Sequence, residues 1–221
     1  MIPVDSDGRA WRAASARGRS RRARILEAAL PLFRERGFHG ATIDDIGAAA
    51  GITGPALYYH FRDKQALLAA AFAHLGDQMF DRMDQIVGKH LEPEDTLRQL
   101  IECHVEVVHA HRASFPVLFA EDTQLRPDDA DWVRRRRQNF VGYWVRPLVR
   151  IRPELTASVA RVLATGAVWS VHSMAYFETG ADDDELKSVL VAAAYTAMVE
   201  TDVGEHARPI RPVVVAPAEG P

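Results

Sequence analysis

The stretch TIDDIGAAAGITGPALYYHFRDK, residues 42–64, holds two helix starts on either side of one turn, and so has room for two short helices only. Thr42 precedes Ile43 and Ile46, with Asp45 three residues on. That is the capping-box spacing, in which a hydroxyl and a carboxylate satisfy each other's backbone N–H groups. Ala48, Ala49 and Ala50 end this helix with small side chains before a tight Gly51-Ile52 turn. Thr53 or Gly54 then caps the next, with Pro55 in its first turn, where a missing N–H costs nothing. At 100° per residue, Leu57 and Phe61 share an inward face, Tyr59 points the opposite way, and Ala56 and Tyr58 lie on the flanks. Solvation alone explains poorly a short helix that turns small and aromatic groups outward. The spacing predicts a helix-turn-helix, whose small leading residues let the backbone approach base edges while tyrosine hydroxyls and histidine N–H groups donate to phosphates.

Helical periodicity dominates the rest, with no convincing strand alternation, which makes the expected fold all-α. Ile25, Ala29, Leu32 and Phe33 mark one apolar face of a first helix from near Arg21, closed by Gly37 and Phe38. Pro31 lies inside it and should bend it. Asp63 caps a fourth helix carrying Leu67, Leu68, Ala71, Phe72, Leu75, Met79 and Met83. Longer helices are expected from Pro93 to about Arg112, from Asp128 to about Arg152 with a bend at Pro147, from about Glu154 to Phe177, and from Asp182 to Thr201, with a shorter one from Ser114 to Asp122. The four prolines after Glu205 predict a disordered tail over 205–221.

The net charge of −3 conceals an asymmetry. Residues 1–74 hold 11 Arg or Lys against 7 Asp or Glu, leaving 16 against 23 in the remainder. The first 24 residues hold 7 Arg against 2 Asp, a basic arm suited to phosphates, although a solvated tail has the same composition. A lone Cys103 excludes an intramolecular disulfide and favours a reducing compartment. With no apolar run of about 18 residues and no signal-peptide pattern, a cytoplasmic protein without membrane contact is expected.

The run ILEAALPLFRERGFHGATIDDIGAAAGITGPALYYHFRDKQALL resembles the TetR-type transcriptional regulators over about residues 21–72. Caps, turn glycine, Leu57-Tyr58, His60-Phe61, Lys64 and Leu67 all fall in register together. The resemblance implies that Gly54, Pro55, Ala56 and Tyr58, with Thr53 at the cap, approach bases, and that Thr42, Tyr59, His60 and Lys64 grip phosphates. Asp44 departs from the pattern: an acid there repels phosphate, and at best accepts from a cytosine amine. The implied organisation is a disordered basic arm over 1–20, a helix-turn-helix domain over 21–68, and an effector-binding and dimerisation domain over 69–204. A homodimer would present two recognition helices to a palindromic double-stranded operator, with half-sites about 34–36 Å apart. The last two long helices, apolar nearly all round, are the natural material for such an interface.

For a small-molecule effector, apolar or amphipathic and of the acyl-thioester or lipid-like kind, the available lining is His104, Phe115, Phe119, Phe140, Trp144, Trp169 and His172. The four arginines of WVRRRRQNF span about 300° of helix surface, too wide for one DNA-facing stripe. They fit either a solvated or interface role, paired with Asp128, Asp129 and Asp131, or contact with an anionic effector. No G-x-S-x-G elbow, phosphate-binding glycine loop or H-E-x-x-H is present, so neither an enzyme nor a cofactor is expected. A metal or redox sensor would have to use Cys103 with His104, His109 and His111, of which only His104 and His111 share a face, a weak site.

Overall fold

The computed structural model describes residues 16–112, 115–116 and 122–204. The basic arm before Ala16, most of the short helix expected over 114–122, Phe119, and the Pro-rich tail all lie outside the described residues. The regular elements among the described residues are all helical: α1 Ala16–Gly40, α2 Ile43–Ala49, α3 Gly54–Leu57, α4 Lys64–Val87, α5 Pro93–Ala110, a 3-10 turn Asp122–Gln124, α6 Pro127–Ile151, α7 Ala157–His172, a second 3-10 turn Ser173–Ala175, and α8 Asp183–Val199. No helix among them is long and apolar enough to cross a membrane.

The expected boundaries need two corrections. Helix α1 starts at Ala16 rather than near Arg21, so the end of the basic segment is helical. Its regular course stops at Gly37 (φ 67°) as expected, where a residue without Cβ adopts the left-handed region at no steric cost, and Pro31 lies inside the helix. Helix α7 is shorter than the expected 154–177, because Thr156 supplies the cap, accepting from the Val159 N–H at 3.3 Å. Glu154 instead accepts from Arg152 at 2.8 Å. At the other end Ser170 and Ser173 turn their hydroxyls onto the carbonyls of Ala167 and Ser170, and a 3-10 turn closes the helix.

One apolar core runs from Ile25, Ala29 and Phe33 of α1 through Leu67, Leu68 and Leu75 of α4 to Leu100, Trp144, Val171 and Met198. Helices α1 and α2 pack on each other, α2 on α3, and α1 on α4; α4 also packs on α5 and α6. Helices α5 to α8 complete the larger bundle, with α7 and α8 side by side at its edge. Helix α4 therefore belongs to both parts and links them.

Candidate nucleic-acid interface and effector cavity

The turn between α2 and α3 is built from caps. Thr42 Oγ1 accepts from the Asp45 N–H at 3.1 Å, and Asp45 Oδ2 accepts in return from the Thr42 hydroxyl at 2.7 Å and its N–H at 3.2 Å. Arg36 adds an ion pair at 2.8 Å. The Thr42 hydroxyl and N–H, then Arg36, hold the Asp45 carboxyl below the usual carboxylate range. At the far end Gly51 takes φ 68°, its N–H reaching Ala48 O at 3.1 Å and that of Ile52 reaching Gly47 O at 2.9 Å. This pair of bonds is the Schellman closure that a glycine at the left-handed position permits. Thr53 Oγ1 then caps α3 by accepting from the Ala56 N–H at 3.3 Å.

The outward face of α3 is as the helical spacing predicts. Leu57 and Phe61 are buried, Pro55 is exposed and Ala56 half-buried; Tyr58 is 55% exposed and Tyr59 91% exposed. Neither tyrosine belongs to the core. Two other residues also have a role inside the chain. Gly54 is buried, and a Cβ there would lie 1.9 Å from Asp44 Oδ1, so its smallness leaves room for the Asp44 carboxylate at the start of α3. Gly47 lies at the crossing of α3 on α2: a Cβ would meet Gly54 N and Ile52 O, both at 3.0 Å. Asp44 is exposed beside Gly54, on the same side as the start of α3.

Lys64 is the second. Its charge opposes the dipole at the start of its own helix, but its Nζ donates to His39 O at 3.3 Å and Ala41 O at 3.1 Å, at the end of α1, and lies 4.6 Å from the Phe38 ring centroid. The ammonium is thus shared between two helix ends, with two of its three donors committed within the chain. Arg22, missed by sequence reasoning, does the same for α3: its guanidinium sits 4.2 Å over Phe61 and donates to His60 O. His60 is half-buried, and burial followed by Arg22 and Arg21 keeps its imidazole below the ordinary histidine range.

In the larger bundle a cavity of about 370 Å³ opens between α4, α5, α6 and α7. Its walls are apolar, with Phe72, Met79, Phe80, Val107, Val133 and Val168 prominent, while Arg134, Arg136, Arg137 and Arg161 bring positive charge. Of the expected effector residues, Phe115, Phe140, Trp169 and His172 line it. His104 and Trp144 do not: both are fully buried behind the wall, their rings 5.3 Å apart. His104 Nε2 lies 3.0 Å from His172 Nε2, so one ring must donate and the other accept. Burial, then the neighbouring His172, keeps His104 well below the usual histidine range. Burial and Arg137 push His172 down to about 4.

The arginine run divides: Arg134 and Arg135 are exposed, whereas Arg136 and Arg137 are half-buried. Arg134 pairs with Asp131 at 2.7 Å, whereas Arg136 turns inward to Asp77 of α4 and lies 4.5 Å from the Phe80 and 5.0 Å from the Trp132 ring centroid. Cys103 is buried, which raises its thiol, and no group of three or more potential metal ligands gathers among the described residues.

The family model described as "Bacterial regulatory proteins, tetR family" matches residues 25–71, the segment that builds α1 to the first turns of α4. A second, described as "Tetracyclin repressor-like, C-terminal domain", matches residues 90–172, the segment that holds most of the cavity. The chain belongs to the tetR family.

Among curated relatives, this regulator is similar to the HTH-type transcriptional repressor KstR2 of Mycolicibacterium smegmatis, with 26% identity over 188 residues covering 81% of this chain and 89% of that protein. It is also similar to the HTH-type transcriptional activator FasR of the same organism, with 28% identity covering 71% of this chain and 72% of that protein. A solved structure, AibR in complex with isovaleryl coenzyme A and operator DNA, shares the fold with a TM-score of 0.65 and 20% identity, covering 78% of this chain and 97% of that one. Like those relatives, this tetR-family protein is a DNA-binding transcriptional regulator. The edge helices of its bundle leave large apolar groups in the open: Val162, Trp169, Val189 and, just past α7, Phe177 are all more than half exposed.

Proposed function

We propose that the protein is a homodimeric repressor that grips a palindromic operator through α2 and α3 and releases it when an amphipathic, anionic small molecule fills the cavity. The observation that carries this reading is the composition of the cavity wall, which is apolar within, bears four arginines, and is made partly by α4, the helix that also supports the helix-turn-helix. An apolar tail is favoured by burial, and a carboxylate or phosphate by guanidinium groups, so an acyl thioester fits both parts. The coenzyme A thioester named with AibR is of that class. Pro55, Ala56 and Tyr58 face bases in this reading; Tyr59, His60, Thr42 and the remaining donor of Lys64 face phosphates, and Asp44 limits what α2 reads. Gly54 and Thr53 act through the backbone of the α3 start.

The experiment is a fluorescence-anisotropy titration of the full chain against the palindrome nearest its own gene, repeated over a salt series and with decanoyl-coenzyme A or coenzyme A alone added. Binding should weaken steeply with salt, because neutralised phosphates release counterions, and should be reversed by the thioester but not by coenzyme A. A Tyr58→Ala, Tyr59→Ala double variant should lose at least about tenfold in affinity, in line with the 1–3 kcal/mol of one good contact, with no change in melting temperature. Undiminished binding by that variant would overturn the assignment of α3.

A further inference from the structure

A polar seam ties α4 to α6 along their length. Arg126, at the start of α6, donates to Asp63, the cap of α4; Arg136 donates to Asp77; the Tyr143 hydroxyl donates to Asp84. Gln65 Nε2 adds a bond to Gln124 O at 3.0 Å. Asp77 and Asp84 are two helical turns apart on α4, as Arg136 and Tyr143 are on α6, with Phe80 set edge-on to Phe140 between them at 6.3 Å. Of these charged and hydroxyl-bearing side chains, Arg136 alone also lines the cavity. Its guanidinium lies against Phe80 and Trp132, which holds it in place, and its Nε is buried with no hydrogen-bond partner among the described residues. Asp77 is only 8% exposed.

We propose that Arg136 is an exchangeable counter-ion, held by Asp77 in the absence of effector and taken by the effector's anionic group on binding, so that α4 reads an occupied cavity as loss of Arg136 from Asp77. The proposal rests on the effector reading above and adds its selectivity and its transmission. Drawing a cation away from a buried carboxylate is destabilising, so an anion that pulls Arg136 off Asp77 raises the energy of the helix arrangement that the pair holds. The carboxylate sits on α4, and the first turn of α4 holds α1 through Lys64. A helix that relieves Asp77 by shifting therefore carries the helix-turn-helix with it. A neutral amphiphile of the same shape fills the apolar wall, leaves Arg136 with Asp77, and has no differential affinity with which to move the equilibrium.

The test uses the full chain, the palindromic duplex, and two probes, decanoate and decanol, with entry to the cavity read from the fluorescence of Trp132 and Trp169. Without probe, Asp77→Asn and Arg136→Met should each weaken operator binding about tenfold, and the double variant no further, because all three open the same pair. In the wild type, decanoate should weaken operator binding at least fivefold while decanol enters without that effect. Asp77→Asn should bind decanoate at least as tightly as wild type and show no operator response to it; Arg136→Met should lose the preference for decanoate. Arg136→Lys, which keeps the charge in a less disruptive change, should retain that preference. Additive effects in the ligand-free cycle, or an unaltered decanoate response in Asp77→Asn, would overturn the exchange while leaving the effector cavity standing. Silence of both tryptophans toward both probes would instead remove the effector reading, and the exchange with it.

Discussion

Two glycines at the crossing of α2 and α3 show how differently the same residue type can be required. A Cβ on Gly47 would press on backbone, Gly54 N and Ile52 O at 3.0 Å, and backbone of a closed turn cannot step aside. A Cβ on Gly54 would meet only the carboxylate of Asp44, which is exposed and can rotate. Gly47→Ala should therefore destabilise the protein by about 1–3 kcal/mol, the usual cost of overpacking, whereas Gly54→Ala should cost well under that, offset in part by the better helix propensity of alanine. Urea unfolding followed by circular dichroism separates the two. A Gly54→Ala variant as unstable as Gly47→Ala would mean that Asp44 is fixed where it stands. The sequence made Gly54 conspicuous and Gly47 invisible, because a short helix start looks like clearance for something outside the chain, while a mid-helix glycine gives no sign of the backbone that crosses it. Lys64 is the same lesson: its conflict with its own helix dipole was legible, but the carbonyls that resolve it belong to the end of α1.

At the scale of elements, caps and breaks were the legible part. Thr42, Thr53 and Asp63 cap the helices their spacing marks, and Gly51 closes α2 with a left-handed turn. Those signals are local, so a single chain suffices to read them. The pairings between helices were not legible, since Asp77 with Arg136 and His104 with His172 join residues far apart in sequence. The buried histidine pair, which bridges α5 and α7, also sets a pH dependence. Its imidazoles are depressed in the folded protein, His172 to about 4, and titrate normally near 6.5 when unfolded. The stability they contribute is fully present above pH 6.5 and is lost as pH falls from there towards about 4, because only the unfolded chain takes up their protons in that window. For His172 alone the loss approaches about 3 kcal/mol at the acid end. Burial also depresses His60, His74 and His111, which act in the same direction. Urea midpoints should drop between pH 7 and pH 5, and a His104→Phe, His172→Leu double variant should drop less steeply. Equal slopes would place the proton uptake elsewhere.

For the whole molecule, the open question is what covers the edge of the bundle. Helices α7 and α8 pack on each other and on the core, yet Val162 is 71% and Val189 57% exposed, with Trp169 and Phe177 beside the same edge. A monomer left in water would keep that surface wet, whereas a second copy related by a two-fold axis would bury the same patch on both sides. In the dimer proposed above the arrangement matters for DNA binding, because each protomer offers only one short α3 and a palindrome rewards two held at a fixed spacing. A Val162→Glu, Val189→Glu double variant places charges on this edge without touching the cavity or the helix-turn-helix. It should sediment as a monomer, keep its helical circular dichroism, and bind the palindrome far more weakly, with the steep salt dependence of the wild type reduced to that of a single half-site. A variant that stays dimeric would move the interface to another face of the bundle. One that becomes monomeric yet holds the palindrome as tightly as before would remove the two-half-site reading.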